Sequence, residues 1–107
     1  MTSLHQQIEQ EIAANKVILY MKGTKLMPAC GFSSQVVHIL NTLGVAYATR
    51  NVLDDDGVRA AIKEYSNWPT LPQLYIDGKF IGGCDIVTQL YENGQLKELL
   101  DTAHTAS

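Results

Sequence analysis

Residues Val17–Lys22 (Val-Ile-Leu-Tyr-Met-Lys) constrain the fold more than any other stretch of the chain. The run is apolar without alternation and opens on β-branched residues, the pattern of a strand buried inside a sheet. A strand of that kind needs cover on both faces, and the flanking segments read as helices that supply it. Upstream, Ser3 followed by Gln6 forms a capping box, and Leu4, Ile8 and Ile12 recur at helical spacing, predicting a helix over 4–14. Downstream, 23–29 is a loop closed by Pro28. A second helix then opens at Cys30 or Gly31, carries Phe32, Val36, Ile39, Leu40 and Leu43 on one face, and stops at Gly44.

The remaining chain alternates in the same way. Residues 45–52 form a second strand, and Asp54-Asp55-Asp56 cap a third helix whose apolar stripe is Val58, Ala61, Ile62 and Tyr65. Consecutive carboxylates at a helix start complement its dipole and need no metal ion. Asn-Trp-Pro-Thr-Leu-Pro at 67–72 breaks that helix. Two short strands follow, 73–76 and 79–82, joined by Asp77-Gly78, a strong hairpin signal. A fourth helix spans 85–93 with Ile86, Val87, Leu90 and Tyr91 buried, and Gly94 ends it. Leu96, Leu99 and Leu100 give a short final helix, with the tail frayed from about Thr102. The order αβαβαββαα predicts an α/β fold: a four-stranded mixed sheet flanked by helices.

Composition excludes several functions. A chain of 107 residues supports one core, so 1–107 is read as a single domain. A net charge of −3 argues against general affinity for nucleic acid or anionic membrane. No apolar run approaches a bilayer span, and the first fifteen residues lack the basic start and apolar centre of a secretory signal. Two cysteines do not make a disulfide framework, which points to a reducing, cytoplasmic setting.

Chemistry concentrates at Cys30-Gly31-Phe32-Ser33. A thiol at a helix start meets unpaired N–H groups and partial positive charge, both of which favour thiolate. Ser33 stands where a redox pair has its second cysteine, so Cys30 cannot close a disulfide within its motif. Lys22 either adds a positive charge nearby or is a solvated strand-end lysine. The X-Pro bond at Pro72 is either trans, in a rigid turn, or cis, which would present the Leu71 backbone to an extended ligand. Gly82-Gly83-Cys84-Asp85 places paired glycines before a helix start, where N–H groups bind carboxylates. Asp85 reads first as the cap of that helix and second as a partner for a ligand's ammonium group. Cys84 reads as a packed or backbone-contributing residue, although the fold permits a Cys30–Cys84 disulfide. His5, His38 and His104 have no companions at metal-ligand spacing.

Taken together, Lys22-Gly23-Thr24, Pro28, Cys30-Gly31-Phe32-Ser33, Trp68-Pro69-Thr70, Pro72 and Gly82-Gly83-Cys84-Asp85 resemble the monothiol glutaredoxins of the CGFS class, over essentially the whole chain. The resemblance implies a thioredoxin-like fold and a glutathione groove formed by Lys22, Arg59, the backbone of Leu71 before a cis-proline, and the Cys84-Asp85 pair. Glutathione is an extended tripeptide with two carboxylates and one ammonium group. Lys22 and Arg59 suit its glycine carboxylate, Leu71 its cysteinyl backbone, and the Cys84-Asp85 helix start its γ-glutamyl end.

Two functions follow from one thiol. As a carrier, Cys30 would ligate a [2Fe–2S] cluster, which takes four thiolates. Two protomers and two glutathiones supply them, so ligand counting predicts a homodimer with cluster and a monomer without it. As an enzyme, Cys30 would take glutathione from a protein mixed disulfide and be released by a second glutathione. The resemblance favours the carrier, delivering clusters to apo iron–sulfur acceptor proteins, with a BolA-like protein as a further candidate partner. An exposed helix-start thiol argues against a redox-inert interaction module.

Overall fold

The computed structural model describes residues 3–105, and side chains over 3–102. Its elements are α1 (Leu4–Ala14), β1 (Val17–Met21), α2 (Gly31–Leu43), β2 (Ala48–Asn51), α3 (Asp56–Ser66), β3 (Gln73–Ile76), β4 (Lys79–Gly82), α4 (Cys84–Glu92) and α5 (Gln95–Thr105), with a 3-10 turn at Val52–Asp54. The sheet has four strands in the order β2-β1-β3-β4. β1 runs parallel to β2, while β3 is antiparallel to both β1 and β4. The thioredoxin-like arrangement expected from the sequence is present.

Every residue of β1 is buried, as its unbroken apolar run requires. Its side chains alternate between two cores. Leu19 and Met21 meet Val36, Leu40, Leu74, Val87 and Leu96 on the face covered by α2, α4 and α5. Ile18 and Tyr20 meet Ile8, Ile12, Val58, Ile62 and Tyr75 on the face covered by α1 and α3. The second face also pairs partly buried polar groups around the buried Tyr20. The Tyr20 hydroxyl donates to Glu11 Oε1 at 2.5 Å, and Arg50 reaches Glu11 Oε2 at 2.7 Å. Burial and the Glu11 carboxylate together push the Tyr20 phenol far above its ordinary value.

Local signals set most boundaries. Ser3 and Gln6 close the capping box on α1, and Gly44 ends α2 at a φ of 69°. Asp77 and Gly78 both take positive φ, 54° and 80°, as a tight primed hairpin turn demands. Other expectations need correction. β1 stops at Met21, because Lys22 begins a small hairpin: Ala29 donates to the Lys22 carbonyl at 2.8 Å, and Thr24 and Met27 exchange backbone bonds. β2 begins only at Ala48, its pairing limited by the register Ile18↔Ala48 to Met21↔Asn51. Of the three aspartates, Asp55 alone caps α3, accepting from the N–H groups of Gly57 and Val58. α5 remains helical to Thr105 rather than fraying at Thr102. The His104 side chain and residues 106–107 lie outside the described residues.

Candidate functional site

β1 delivers the chain to one end of the sheet, and the 22–29 hairpin turns it back so that α2 starts beside the strand end. Gly23 makes that reversal possible: its φ is 92°, and a Cβ there would strike the backbone of Ala29, Met27 and Pro28. Cys30 then occupies the N-cap of α2, with its Sγ accepting the Ser33 N–H at 3.3 Å. The Sγ also lies 3.3 Å from Ser33 Oγ.

Ser33 is fully buried and its hydroxyl oxygen accepts the Lys22 N–H at 3.1 Å. With its acceptor side occupied from the strand, the hydroxyl proton is available to a sulfur that has become a thiolate. Partial burial pushes the Cys30 thiol up, but the Ser33 hydroxyl, the N–H groups of Ser33 and Phe32 and the Lys22 charge outweigh it. The net effect holds Cys30 below the ordinary thiol range. Cys84 is shifted the other way. Burial raises it, the hydroxyl of Thr88 opposes that weakly at 4.0 Å, and the charges of Asp85 and Cys30 add to the rise. The two cysteines are therefore shifted in opposite directions, Cys30 toward thiolate and Cys84 toward thiol, and both are free of disulfide.

Two depressions flank this point and share Phe32, Cys84 and Asp85. Cys30 opens into a shallow trough of about 900 Å³ between α2 and α4. Beside it, a groove of about 440 Å³ has Lys22 and Lys63 in its lining, Trp68 to Pro72 along one wall, and Cys84 and Asp85 on the α4 side. The Leu71–Pro72 peptide is cis, the second of the two possibilities open in the sequence. The groove thus combines two cations and one carboxylate with a wall in which the exposed Pro69 and Thr70 lead into the buried Leu71 and Pro72, which suits an extended zwitterionic peptide.

Lys22, Leu71, Cys84 and Asp85 are brought together as expected. Arg59 is not: it sits on α3 outside the groove lining, and Lys63, one helical turn further on, lines it instead. Nothing in the helix pattern distinguishes the two cations, since both sit on α3 at positions four apart and only the tilt of the helix against the groove selects one. Asp85 does not cap α4. The helix starts at Cys84, Gly83 occupies the N-cap without a side-chain bond, and Asp85 stands exposed in the first turn. The paired glycines serve close packing within the protein. A Cβ at Gly82 would collide with Ile86 at 2.7 Å, and one at Gly83 would crowd Trp68 Nε1 and the Pro72 carbonyl at 3.3 Å. Phe32, expected on the buried face of α2, is 63% exposed beside Cys30. The packed face of α2 runs instead through Ser33, Val36, Val37 and Leu40, which turns Phe32 outward. Among the described residues no three His, Cys, Asp or Glu side chains gather into a metal site.

The glutaredoxin family model matches residues 17–81, from the first residue of β1 into β4. The chain belongs to the glutaredoxin family. Several similar relatives are named monothiol glutaredoxins: a protein of Synechocystis sp. named an uncharacterized monothiol glutaredoxin ycf64-like is 58% identical over 97 residues, 91% of each chain. The solution structure of reduced poplar apo GrxS14 superposes with a TM-score of 0.84 at 46% identity, covering 96% of this chain and 94% of that one. A buckwheat glutaredoxin solved as its glutathione complex superposes equally well, with a TM-score of 0.84 at 28% identity and coverage of 94% and 90%. In this glutaredoxin the cysteine at the helix start and the cis-proline loop therefore sit on a fold shared with a glutathione-bound relative. No helix among the described residues is long and apolar enough to cross a membrane.

Proposed function

We propose that this monothiol glutaredoxin binds glutathione in the groove between Lys22, Lys63, Leu71 and Asp85, and carries a [2Fe–2S] cluster as cargo for apo iron–sulfur acceptor proteins in the cytoplasm. The observation that carries the reading is the opposite tuning of the two cysteines. Of the two, Cys30 is shifted toward thiolate and stands at the start of α2 facing the open trough, so we take each chain to offer that one thiolate to iron. A [2Fe–2S] cluster takes four thiolates. Two Cys30 thiolates and two glutathione thiols meet that number in a homodimer, and the chain without cluster is then a monomer. A BolA-like protein can take the place of one protomer in the same scheme.

Glutathione follows from groove chemistry and from the buckwheat relative's complex. Lys22 and Lys63 face a carboxylate, the Leu71 backbone pairs with the cysteinyl residue, and Asp85 meets the γ-glutamyl ammonium. The groove adjoins the Cys30 trough through Phe32, Cys84 and Asp85, the side on which the ligand's sulfur would meet Cys30.

A second reading uses the same thiol for chemistry. The Cys30 thiolate attacks the glutathione sulfur of a protein mixed disulfide; the S–S bond breaks and the protein thiolate leaves. A second glutathione thiolate then attacks the Cys30–glutathione disulfide, releasing Cys30 and oxidised glutathione. The presence of one activated thiol with no partner in its own motif supports this monothiol route.

Anaerobic reconstitution with iron, sulfide and glutathione tests the first reading. A visible [2Fe–2S] chromophore on a dimer that reverts to colourless monomer when glutathione is removed is expected. A colourless monomer under those conditions overturns the carrier reading and leaves deglutathionylation, assayed by release of glutathione from a mixed disulfide.

A further inference from the structure

Gln73 opens β3 directly after the cis Leu71–Pro72 peptide, and it is fully buried. A buried primary amide is costly unless each of its groups finds a partner. Here every group does. Nε2 donates to the carbonyls of Trp68 and Thr70, at 3.2 Å each, and Oε1 accepts the Tyr75 hydroxyl at 2.9 Å. Two carbonyls can only accept, so the NH₂ end must face them and the oxygen must face Tyr75. The amide's orientation is therefore fixed by its surroundings.

The loop depends on such a donor. Pro69 and Pro72 lack N–H groups, so 68–72 cannot form a regular backbone ladder. Its start is tied to α3 through the Trp68 N–H, which donates to Ser66 Oγ at 3.1 Å and the Lys63 carbonyl at 3.2 Å. The outgoing carbonyls of Trp68 and Thr70 are held from below by Gln73. Tyr75 is in turn clamped by Tyr20, ring centroids 5.9 Å apart, and by Phe80 at 5.5 Å. Phe80 packs on Trp68 at 5.7 Å, closing the circuit from sheet to loop.

We propose that Gln73 is a positioning residue for the groove: its amide holds the Trp68 and Thr70 carbonyls so that the Leu71 backbone faces a bound peptide. The inference rests on the glutathione reading for its ligand, but the loop geometry it asserts can be read without any ligand. Trp68 is the sole tryptophan in the chain, so its fluorescence reports on this loop alone.

The experiment compares the wild-type protein with Gln73→Met, which keeps length and volume but removes the amide, and with Tyr75→Phe, which leaves both loop bonds in place. Each is measured for thermal stability, acrylamide quenching of Trp68, and glutathione affinity well below its Tm. Gln73→Met is expected to bind glutathione about tenfold more weakly, with Trp68 more readily quenched. Tyr75→Phe is expected to lose stability while staying within about twofold of wild-type affinity. A folded Gln73→Met with wild-type affinity and wild-type quenching overturns the proposal, because a merely structural glutamine would lower Tm and leave both unchanged. If wild-type protein does not bind glutathione, the ligand reading fails by itself. Trp68 quenching then decides: increased quenching in Gln73→Met supports the positioning role, and unchanged quenching overturns it. Gln73→Leu gives the same readings should Gln73→Met not fold.

Discussion

Replacing Ser33 by alanine isolates one hydrogen bond to the Cys30 sulfur. The Ser33 N–H survives the change, as do the Phe32 N–H and the Lys22 charge, so only the hydroxyl contribution is lost. A hydrogen bond to a charged group is worth about 1.5–3 kcal/mol. The low end applies here, because the Sγ···Oγ separation is 3.3 Å and the sulfur is partly open to water. Losing about 1.4 kcal/mol of thiolate stabilisation lowers the thiolate population roughly tenfold wherever the thiol form dominates. The remaining thiolate is more basic and attacks about threefold faster, given a Brønsted slope near 0.4–0.5. The net expectation is alkylation by iodoacetamide about threefold slower than wild type at acidic pH. At alkaline pH, where both proteins are fully thiolate, the order reverses and Ser33→Ala reacts about threefold faster. Rate–pH profiles from pH 5 to 10 test this, with the wild-type titration at the lower pH. The same change leaves the Lys22 N–H without its acceptor, at a cost of about 1–3 kcal/mol. Folding is therefore checked by circular dichroism before rates are compared. Superimposed profiles, or a variant titrating below wild type, would refute the claim that the Ser33 hydroxyl tunes this thiol.

Lys63→Ala should weaken glutathione binding up to about fivefold, the reach of a partly exposed ion pair, while Arg59→Ala leaves it within twofold; titration calorimetry distinguishes them, and the reverse order would return the site to Arg59. Cys84→Ser should keep most of the reconstituted cluster absorbance, whereas Cys30→Ser abolishes it; complete loss in well-folded Cys84→Ser would make Cys84 a ligand. Burial pushes the Tyr75 phenol up to about 12 from 10.0, so the folded chain keeps a proton that the unfolded chain gives up. The associated stability is present in full below pH 10.0, declines above it and is gone past about pH 12. Urea midpoints measured upward from pH 9 should fall less steeply in Tyr75→Phe. Leu19→Ala, at a fully buried position in the central strand, should cost about 2–5 kcal/mol by chemical denaturation.

Short-range signals in this chain were decisive wherever the physics is short-range. The capping box at Ser3, the glycine stop at Gly44, the Asp77-Gly78 turn and the unbroken apolar run of β1 each act through neighbours a few residues away, and each forms as the sequence implies. Cys30 belongs largely to the same class: the Ser33 hydroxyl and the N–H groups of Ser33 and Phe32 that favour its thiolate are written in four consecutive residues, with Lys22 adding its charge from the strand end. Other features required the assembled sheet. β2 is shorter than its sequence pattern because its pairing begins opposite Ile18, near the start of β1, and stops opposite Met21 at its end, and Phe32 is exposed because the packed face of α2 runs through Ser33, Val36, Val37 and Leu40. Whether Arg59 or Lys63 lines the groove depends on how α3 lies against the sheet, a packing property that helical periodicity does not encode. Gln73 gave no signal at all. A polar residue between a proline and an apolar strand looks solvent-facing until folding buries it under the loop carbonyls it holds. The thiol's helix-start setting and most element boundaries were local matters. The groove beside that thiol was decided by contacts between residues far apart in the chain, which exist only once both cores have closed on β1.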